Sequence, residues 1–209
     1  MRFSTLLLTS LSLVLGIAYG KNEDREDRKT PPMGPSHPLV EAARCQIGLT
    51  TRYDGSYVLL DYPGGDVDPE RGVCTDVIIR AMRQGYTMDL QKLVHMDMKA
   101  NFAKYPKSWG LKGTDRNIDH RRVPNLETFF KRKGYSLQLT HKAENFKAGD
   151  LVTCTVPPHL PHIMIVSNRK NSMGVPLVIH NIGRGAQEQD CLFTYKLTGH
   201  YRIPVPQAQ

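Results

Sequence analysis

The hydrophobic positions of this chain follow a helical period in its first half and an extended period in its second. Residues 37–50 and 74–85 carry apolar side chains at three- and four-residue intervals, which predicts two amphipathic helices. Residues 90–106 and 123–137 repeat that period and predict two more helices. We expect the second of the four to begin at or just after Cys74.

After residue 148 the apolar positions alternate with polar ones or form short continuous runs. This pattern predicts consecutive short strands at 149–156, 162–167, 175–183, 191–197 and 199–204. A further short strand is expected around Tyr57–Leu60, in an otherwise turn-rich segment. Helices first and an antiparallel sheet afterwards predict an α+β fold.

The N-terminus has the pattern of a secretory signal peptide. A single charge, Arg2, precedes an apolar run from Leu6 to Ile17, and small residues lead to a cleavage site after Gly20. The run is shorter than the about 20 apolar residues of a membrane span, so we expect cleavage rather than anchoring. Residues 21–37 predict a flexible leader and 38–209 a single domain, in a periplasmic or secreted protein.

The charge balance of the chain is basic. The full chain has 28 basic and 20 acidic side chains, and removal of the signal peptide leaves a net charge of +7. A positive surface favours anionic partners. The basic residues are scattered without interleaved aromatic residues, and export separates the protein from nucleic acid. We therefore expect an anionic envelope polymer or lipid headgroups as the partner, and not nucleic acid. The resemblance described below implies that the polymer is peptidoglycan.

Two histidines are expected to lie side by side in the sheet. The loop 168–174 is polar and ends in glycine, and a hairpin register symmetric about Asn171 pairs His162 with His180. Directly opposite residues of an antiparallel pair share a face, with Cβ atoms about 4.5–5.5 Å apart. Such a pair suggests a general base and the group that orients it.

Cys74 is expected at a helix N-terminus, where the positive end of the helix dipole stabilises a thiolate. With His162 and His180 it makes a cysteine–histidine–polar triad in chain order. The backbone N–H of Cys74 is the natural donor to an oxyanion. Asp76, in the same helical turn, opposes thiolate formation unless its carboxylate points away from the sulfur or binds substrate.

Short motifs around these residues resemble known families. The segments "GVCTDV", "PHIMIVS" and "VIHNIG" resemble the cysteine, "HVGIY" and "IHA" motifs of NlpC-type cell-wall cysteine peptidases, which are relatives of papain. From about residue 38 the chain is similar to bacterial envelope proteins grouped as domain of unknown function 1287, through "GVCTDVIIRA", "NIDHRRVPNL", "GDLV" and "HNIG". The NlpC-type resemblance implies a papain-like fold with Cys74 as nucleophile, His162 as base and His180 as the orienting residue. It further implies hydrolysis of an amide bond in cell-wall peptide, and we expect no cofactor.

Five residues are candidates for substrate binding. Tyr62, in "YPGGD", takes the place of the tyrosine that precedes the nucleophile in that superfamily, and Tyr53 and Tyr57 compete for its oxyanion role. An arginine pair in "DHRR" suits carboxylate recognition, and peptidoglycan stems carry several carboxylates. The full set is Tyr62, Asp76, Arg121, Arg122 and Asn181.

Other interpretations stay open from the sequence. An exported chain with four cysteines allows two disulfides, so Cys74 as half of a disulfide competes with the nucleophile. The pairing of the other three, Cys45, Cys154 and Cys191, is undecided. Zinc held by His159, His162 and His180 is a less favoured alternative, and we expect no metal. "DHRR" is equally well explained as a salt-bridged structural turn. The alternative functions are a non-catalytic envelope binding or structural protein and an acyltransferase.

Overall fold

Residues 33–206 of the 209-residue chain are described by a computed structural model. They belong to one compact unit. The expected signal peptide (1–20) and most of the expected leader (21–37) lie outside the described residues. Within 33–206, no helix is long and apolar enough to cross a membrane.

Four α-helices form within residues 33–132 of the described part of the chain, as predicted. Their bounds are α1 (Pro38–Arg44), α2 (Cys74–Tyr86), α3 (Leu90–Ala100) and α4 (Val123–Arg132). The helix α2 begins at the expected residue, Cys74. The other three are shorter than their hydrophobic patterns suggested, because loops and short 3₁₀ turns continue the apolar spacing beyond the helix ends.

Seven strands make two sheets in the part of the chain that the structure describes. Their bounds are β1 (Arg52–Tyr53), β2 (Arg71–Gly72), β3 (Leu151–Val156), β4 (Leu160–Lys170), β5 (Pro176–Asn181), β6 (Ala186–Gln189) and β7 (Lys196–Tyr201). The first two form a small parallel pair. The other five form an antiparallel sheet in the order β6–β5–β4–β3–β7. The predicted α+β class with an antiparallel sheet is confirmed.

Two strand predictions are wrong. Residues 57–60 form no strand, and the short pairing lies upstream, at β1. Residues 191–195 form a turn, although their sequence is rich in β-forming residues. The strand β6 was missed because its sequence, "AQEQ", has no hydrophobic pattern, as suits a polar strand at the edge of a sheet.

Alternation along β4 divides the core into two parts. Ile163 and Ile165 face the helices and belong to the larger core, which includes buried side chains of all four helices. Met164 and Val166 face the other way and belong to a second core with Phe146. The sheet therefore carries packed side chains on both faces, which fixes its register.

The first described residues pack against the sheet. Met33 forms a β-bridge with Arg169, and the Gly34 N–H donates to the Asn168 carbonyl at 2.6 Å. The Asn168 side chain donates to the carbonyls of Gly34 and Pro35 in return. The ordered contacts thus begin before residue 38, the boundary expected from composition.

Candidate active site

The start of α2 is held in place by side chains on either side of Cys74. The Asp76 carboxylate accepts a hydrogen bond of 2.6 Å from the Val73 N–H. The Thr75 hydroxyl donates to the Arg121 carbonyl at 3.0 Å. Cys74 itself is only 4% exposed. These contacts fix the direction in which the thiol leaves the helix.

Gly72 lets the Asp76 carboxylate reach back to the residue before the helix. A Cβ at Gly72 would lie 2.9 Å from the Asp76 Cβ and 3.0 Å from its Oδ2. There is no room for a side chain at that position without displacing the carboxylate. The glycine in "RGVCTD" is therefore required by packing at the helix start.

His162 and His180 are in direct contact. The distance from His162 Nε2 to His180 Nδ1 is 2.7 Å, and the rings meet edge to face, with an interplanar angle of 73°. Both side chains are buried, at 4% and 0% exposure. Burial and a short hydrogen bond hold the two imidazoles in one arrangement.

The register that brings the histidines together differs from the predicted one. Val166 pairs with Val178, whereas symmetry about the loop centre paired Val166 with Pro176. An irregularity in the ladder after Val166 produces this shift of two residues. Because side chains alternate with a period of two, both histidines keep a common face and meet along a diagonal instead of directly across.

The start of α2 meets the start of β4. Cys74 and Pro161 line the same cavity, and the backbone N–H of Ile163 acts against the rise in the pKa of the Cys74 thiol. The thiol therefore lies near the first residues of β4. Within residues 33–206, no hydrogen bond joins the sulfur to the His162 ring.

Burial raises the pKa of the Cys74 thiol to about 12, and the charge of Asp76 adds to the rise. Backbone N–H groups of Ile163, Thr75 and Cys74 act in the opposite direction and are outweighed. The sequence predicted a thiolate stabilised by the helix dipole. In the structure desolvation dominates, because the helix start is covered by protein instead of water, and the thiol is neutral at pH 7.

Burial also keeps the two histidines neutral. It lowers the pKa of His162 to about 3, with the neighbouring His180 as the second cause. Burial lowers the pKa of His180 as well, although its hydrogen bond with Gln189 opposes the change. At neutral pH the site thus combines a thiol with two uncharged imidazoles.

A third polar group, Gln189, continues the histidine pair. The His180 Nε2 atom lies 2.8 Å from Gln189 Oε1 and 3.4 Å from the Cys191 sulfur. A neutral imidazole has one N–H and one acceptor nitrogen. With the amide oxygen as acceptor, His180 carries its proton on Nε2 and accepts at Nδ1 from His162 Nε2–H. That leaves His162 Nδ1 as an unprotonated nitrogen. The sequence did not identify Gln189 as a candidate, because it lies on β6, a strand that the hydrophobic pattern did not predict.

All four cysteines are free thiols. Cys45 is exposed and Cys74 is buried, so the disulfide interpretation of Cys74 has no support in the structure. Cys154 lies directly across the β3–β4 pair from His162, and burial raises its pKa to about 12. Burial likewise raises the pKa of Cys191 to about 11.

Cys74 opens onto a cavity of about 440 Å³. Aromatic and apolar side chains predominate in its wall, and the charged residues are two arginines. The lining residues are Tyr53, Gly55, Tyr57, Val73, Cys74, Trp109, Ile118, Arg121, Arg122, Val123, Pro124 and Pro161. Pro161 precedes His162, so the cavity reaches the start of β4.

A larger cavity, of about 620 Å³, is formed by other parts of the chain. It is lined by residues 34–37, the far end of β4 and the segment after β7, and it includes Asp150 and Arg202. None of the three triad candidates is among its lining residues. Of the three, only Cys74 lines the smaller cavity, and neither His162 nor His180 is among the lining residues of either cavity.

The structure places Tyr62 outside the Cys74 cavity. Its ring packs on His95, with centroids 5.2 Å apart, and Arg116 lies 5.8 Å from the ring centre. The two tyrosines in the cavity wall are Tyr53 and Tyr57. Burial raises the pKa of Tyr53 to about 12, with Cys74 as the next cause, which agrees with its position near the thiol. The tyrosines that lie near the thiol are thus Tyr53 and Tyr57, and not Tyr62.

Three of the substrate-binding candidates are engaged inside the fold. Arg121 donates to both oxygens of Asp76, at 2.8 and 2.9 Å, and both side chains are nearly fully buried. Asn181 is fully buried and donates to the Gly72 carbonyl at 2.9 Å. Their polar groups hold the site together. Arg122, the fifth candidate, keeps part of its side chain exposed and lines the cavity.

No group of three or more histidine, cysteine, aspartate or glutamate side chains suited to a metal ion occurs within residues 33–206. His159, the third zinc ligand considered from the sequence, is exposed. The histidine pair has its hydrogen bonds to protein groups instead.

Comparison with known proteins yields a family and a relative. A family profile described as "Domain of unknown function (DUF1287)" matches residues 40–203. The chain is also 54% identical over 164 residues to "Uncharacterized protein YijF" of Escherichia coli (strain K12), a match that covers 78% of this chain and 80% of that protein. All residues of the candidate site lie within the matched range.

Proposed function

Because the chain belongs to the DUF1287 family, whose description names no reaction, we propose a function from the site itself: hydrolysis of an amide bond in cell-wall peptide by a cysteine nucleophile. The observation that carries this proposal is that Cys74 and Pro161, the residue before His162, line one cavity, while His162 contacts His180 at 2.7 Å. We further assign the fold to the papain-like, NlpC-type superfamily, on the three short motifs that contain these residues.

In the proposed reaction, His162 acts while the thiol attacks. The substrate carbonyl binds in the cavity, the Cys74 sulfur forms a bond to the carbonyl carbon, and the S–H proton passes to His162 Nδ1. The same proton then moves to the amide nitrogen as the C–N bond breaks. A thioester and a free amine result. Water, deprotonated by His162, then attacks the thioester and releases a carboxylic acid and the Cys74 thiol.

The neutral resting state of the thiol and the imidazole sets the order of these steps. Since the pKa of Cys74 is raised and that of His162 is lowered, the proton leaves sulfur during the attack and not before it. The arrangement resembles a serine hydrolase more than an enzyme with a preformed thiolate–imidazolium pair. Charge that develops on His162 is shared with His180 and Gln189 through the hydrogen bonds already in place.

The oxyanion of the tetrahedral intermediate needs donors near the sulfur. The Cys74 N–H is the first of α2, and N–H groups of a first helical turn have no partner within their helix. Tyr53 supplies a second donor in the same cavity wall, and its raised pKa keeps its hydroxyl protonated. These two donors are the proposed oxyanion site.

A cell-wall substrate agrees with the features that the sequence predicts. A signal peptide would export the chain to the envelope, and its net charge of +7 after cleavage favours an anionic polymer. On this basis we place the protein in the periplasm or outside the cell.

The decisive experiment compares the chain from residue 21 onward with its Cys74→Ala variant on purified peptidoglycan. Wild type should release fragments that have gained one water, as seen by mass spectrometry, and the variant should release none. Cys45→Ala, which removes an exposed thiol that does not line the cavity, should retain full turnover. Equal digestion by wild type and Cys74→Ala would refute the proposal.

A non-catalytic envelope binding protein is the second candidate. The buried, neutral Cys74 thiol and the lack of a hydrogen bond from it to His162 within residues 33–206 favour this alternative. It predicts that wild type and Cys74→Ala bind peptidoglycan equally and that neither changes its mass. An acyltransferase would instead yield products joined to an added amine.

A further inference from the structure

Two charged side chains line the Cys74 cavity, and they differ in how closely their charge is paired with a carboxylate. Arg121 is held by both oxygens of Asp76, which balances its charge. Arg122 has only a looser ion pair, with Asp119, which does not line the cavity. Because no carboxylate is among the described lining residues, Arg122 is the charged residue that can still bind a ligand there.

The guanidinium of Arg122 lies over an aromatic ring. Its central carbon is 4.2 Å from the centre of the Trp109 ring. Stacking of this kind fixes the plane of the guanidinium and leaves the N–H groups at its edge free to donate. An edge with two parallel N–H groups matches the two oxygens of a carboxylate.

The nearest acid does not satisfy Arg122. Its Nη1 atom lies 3.8 Å from Asp119 Oδ1, which is beyond hydrogen-bond length. Both atoms are buried, and neither has a hydrogen-bond partner within residues 33–206. Asp119 is 1% exposed and does not line the cavity. Because Nη1 is enclosed, a ligand in the cavity would meet the other N–H groups of the Arg122 guanidinium, which make no hydrogen bond within residues 33–206.

We propose that Arg122 and Trp109 form a carboxylate-binding subsite of the Cys74 cavity, and that the preferred substrate is a peptide with a free carboxylate close to the amide that is cleaved. This inference rests on the proposed function and names its substrate class. The cavity volume of about 440 Å³ lies within the range of about 300–1,000 Å³ that small-molecule sites occupy. Tyr53 and Tyr57 supply apolar surface for the rest of the peptide.

Trp109 allows binding to be measured without turnover, because it is the one tryptophan of the chain. The experiment titrates the Cys74→Ala variant with N-acetyl-alanyl-glutamate and, separately, with the diamide of that peptide. Emission of Trp109 should change saturably with the acid. The diamide should bind at least about tenfold more weakly, the loss expected for one charge-assisted pair.

Charge variants test the assignment to Arg122. In the Cys74→Ala background, Arg122→Gln should weaken binding of the acid at least about tenfold. Arg122→Lys should bind the acid with an affinity between those of its parent and Arg122→Gln, because a lysine cannot bind both oxygens in one plane. Arg116→Gln is the matched control, since Arg116 is an exposed arginine outside the cavity wall, and it should leave binding unchanged. A far-ultraviolet circular dichroism spectrum checks each fold.

The proposal is overturned if acid and diamide bind Cys74→Ala equally, or if a folded Arg122→Gln binds the acid as well as its parent. If Arg122→Gln does not fold, the acid–diamide comparison still decides. If wild type binds the acid but does not cleave it, the carboxylate subsite is supported and the hydrolase function is refuted. If wild type cleaves the acid and the diamide at equal rates, the hydrolase function is supported and the carboxylate subsite is refuted.

Discussion

The side-chain amide of Asn181 donates a hydrogen bond of 2.9 Å to the carbonyl of Gly72. Asn181 follows His180 at the end of β5, and Gly72 stands two residues before Cys74. One buried contact therefore joins the strand that carries the orienting histidine to the segment that positions the thiol. The same carbonyl also accepts from the Asp54 N–H at 3.2 Å, which adds β1 to the junction.

Substitution of Asn181 should loosen this junction. Asn181→Ala removes the donor to Gly72 and the acceptor of the Gly183 N–H, both in a fully buried position. We expect a loss of about 1–3 kcal/mol in the free energy of unfolding, measured by urea denaturation. Asn181→Asp keeps the acceptor for Gly183 but turns an oxygen toward the carbonyl, so it should destabilise more than alanine. Equal stability of wild type and both variants would contradict the contact.

The Asp76–Arg121 pair should be among the costliest polar contacts to break. Asp76→Asn leaves a buried guanidinium without its charge partner, for which we expect a loss of about 3–5 kcal/mol. Asp54→Asn is the matched control, because Asp54 pairs with Arg71 at 2.9 Å while both side chains are partly exposed. It should change the unfolding free energy far less. A similar loss for the two variants would argue against the buried pair.

Alkylation should distinguish the thiols. Cys45 is exposed and should react first with iodoacetamide at pH 7.5, whereas Cys74, with its pKa raised to about 12 by burial, should stay largely unmodified. The rate at Cys74 should climb with pH beyond 9, and peptide mapping by mass spectrometry follows each site. In urea all four thiols should react alike. Rapid modification of Cys74 at pH 6 in the folded protein would show a thiolate and contradict the neutral pair.

The sequence predicted the parts of the site that local pattern controls. The helical period placed the thiol at the start of a helix, where it is found. A polar loop between two apolar runs placed His162 and His180 on one face of a hairpin. The register was wrong by two residues, yet the pair survived because a shift of two preserves the face.

The parts that failed depend on distant contacts. The raised pKa of Cys74 comes from burial by the whole fold, which a helix dipole argument does not see. Tyr62 and Tyr53 have equally plausible sequence surroundings, and only packing on His95 removes Tyr62 from the site. Gln189 lies on a strand with no hydrophobic signal. Each of these features is set by tertiary structure.

The buried histidines should make the fold sensitive to acid. Burial lowers the pKa of His162 to about 3 and that of His120 to about 4, whereas an unfolded histidine titrates near 6.5. Between these values the unfolded chain binds protons that the folded chain does not, so stability rises with pH there and falls as pH drops below 6.5. Each histidine contributes at most about 1.4 kcal/mol per pH unit.

This dependence is measured by urea denaturation at pH 7.5, 6.0 and 5.0. The midpoint should fall across that series, and His120→Gln should show a shallower fall than wild type. Asp119 has the opposite effect on the pH dependence of stability, because burial raises its pKa to about 6. Its single carboxyl is outnumbered by the histidines whose pKa is lowered by burial. A midpoint that rises on acidification would contradict the neutral state of the histidines.

Gln189 should fix which nitrogen of His162 is free to take a proton. Its Oε1 accepts from His180 Nε2 at 2.8 Å, which forces the His180 Nδ1 to accept from His162 Nε2 and leaves His162 Nδ1 unprotonated. Gln189→Leu keeps the size of the side chain and removes the acceptor, so both tautomers of the pair become populated. Turnover should fall at least about tenfold in kcat, with KM little changed, because only the molecules in the reactive tautomer proceed.

A spectroscopic readout separates this role from mere packing. In wild type, nitrogen NMR of labelled histidine should give an unprotonated shift for His162 Nδ1 and a protonated shift for Nε2. In Gln189→Leu the two shifts should move toward each other. Gln189→Glu, which retains an acceptor toward His180, should restore the wild-type pattern and raise the pKa of His180. Unchanged nitrogen shifts in a folded Gln189→Leu protein would mean that the tautomer is set by other contacts, and Gln189 would then be no part of the relay.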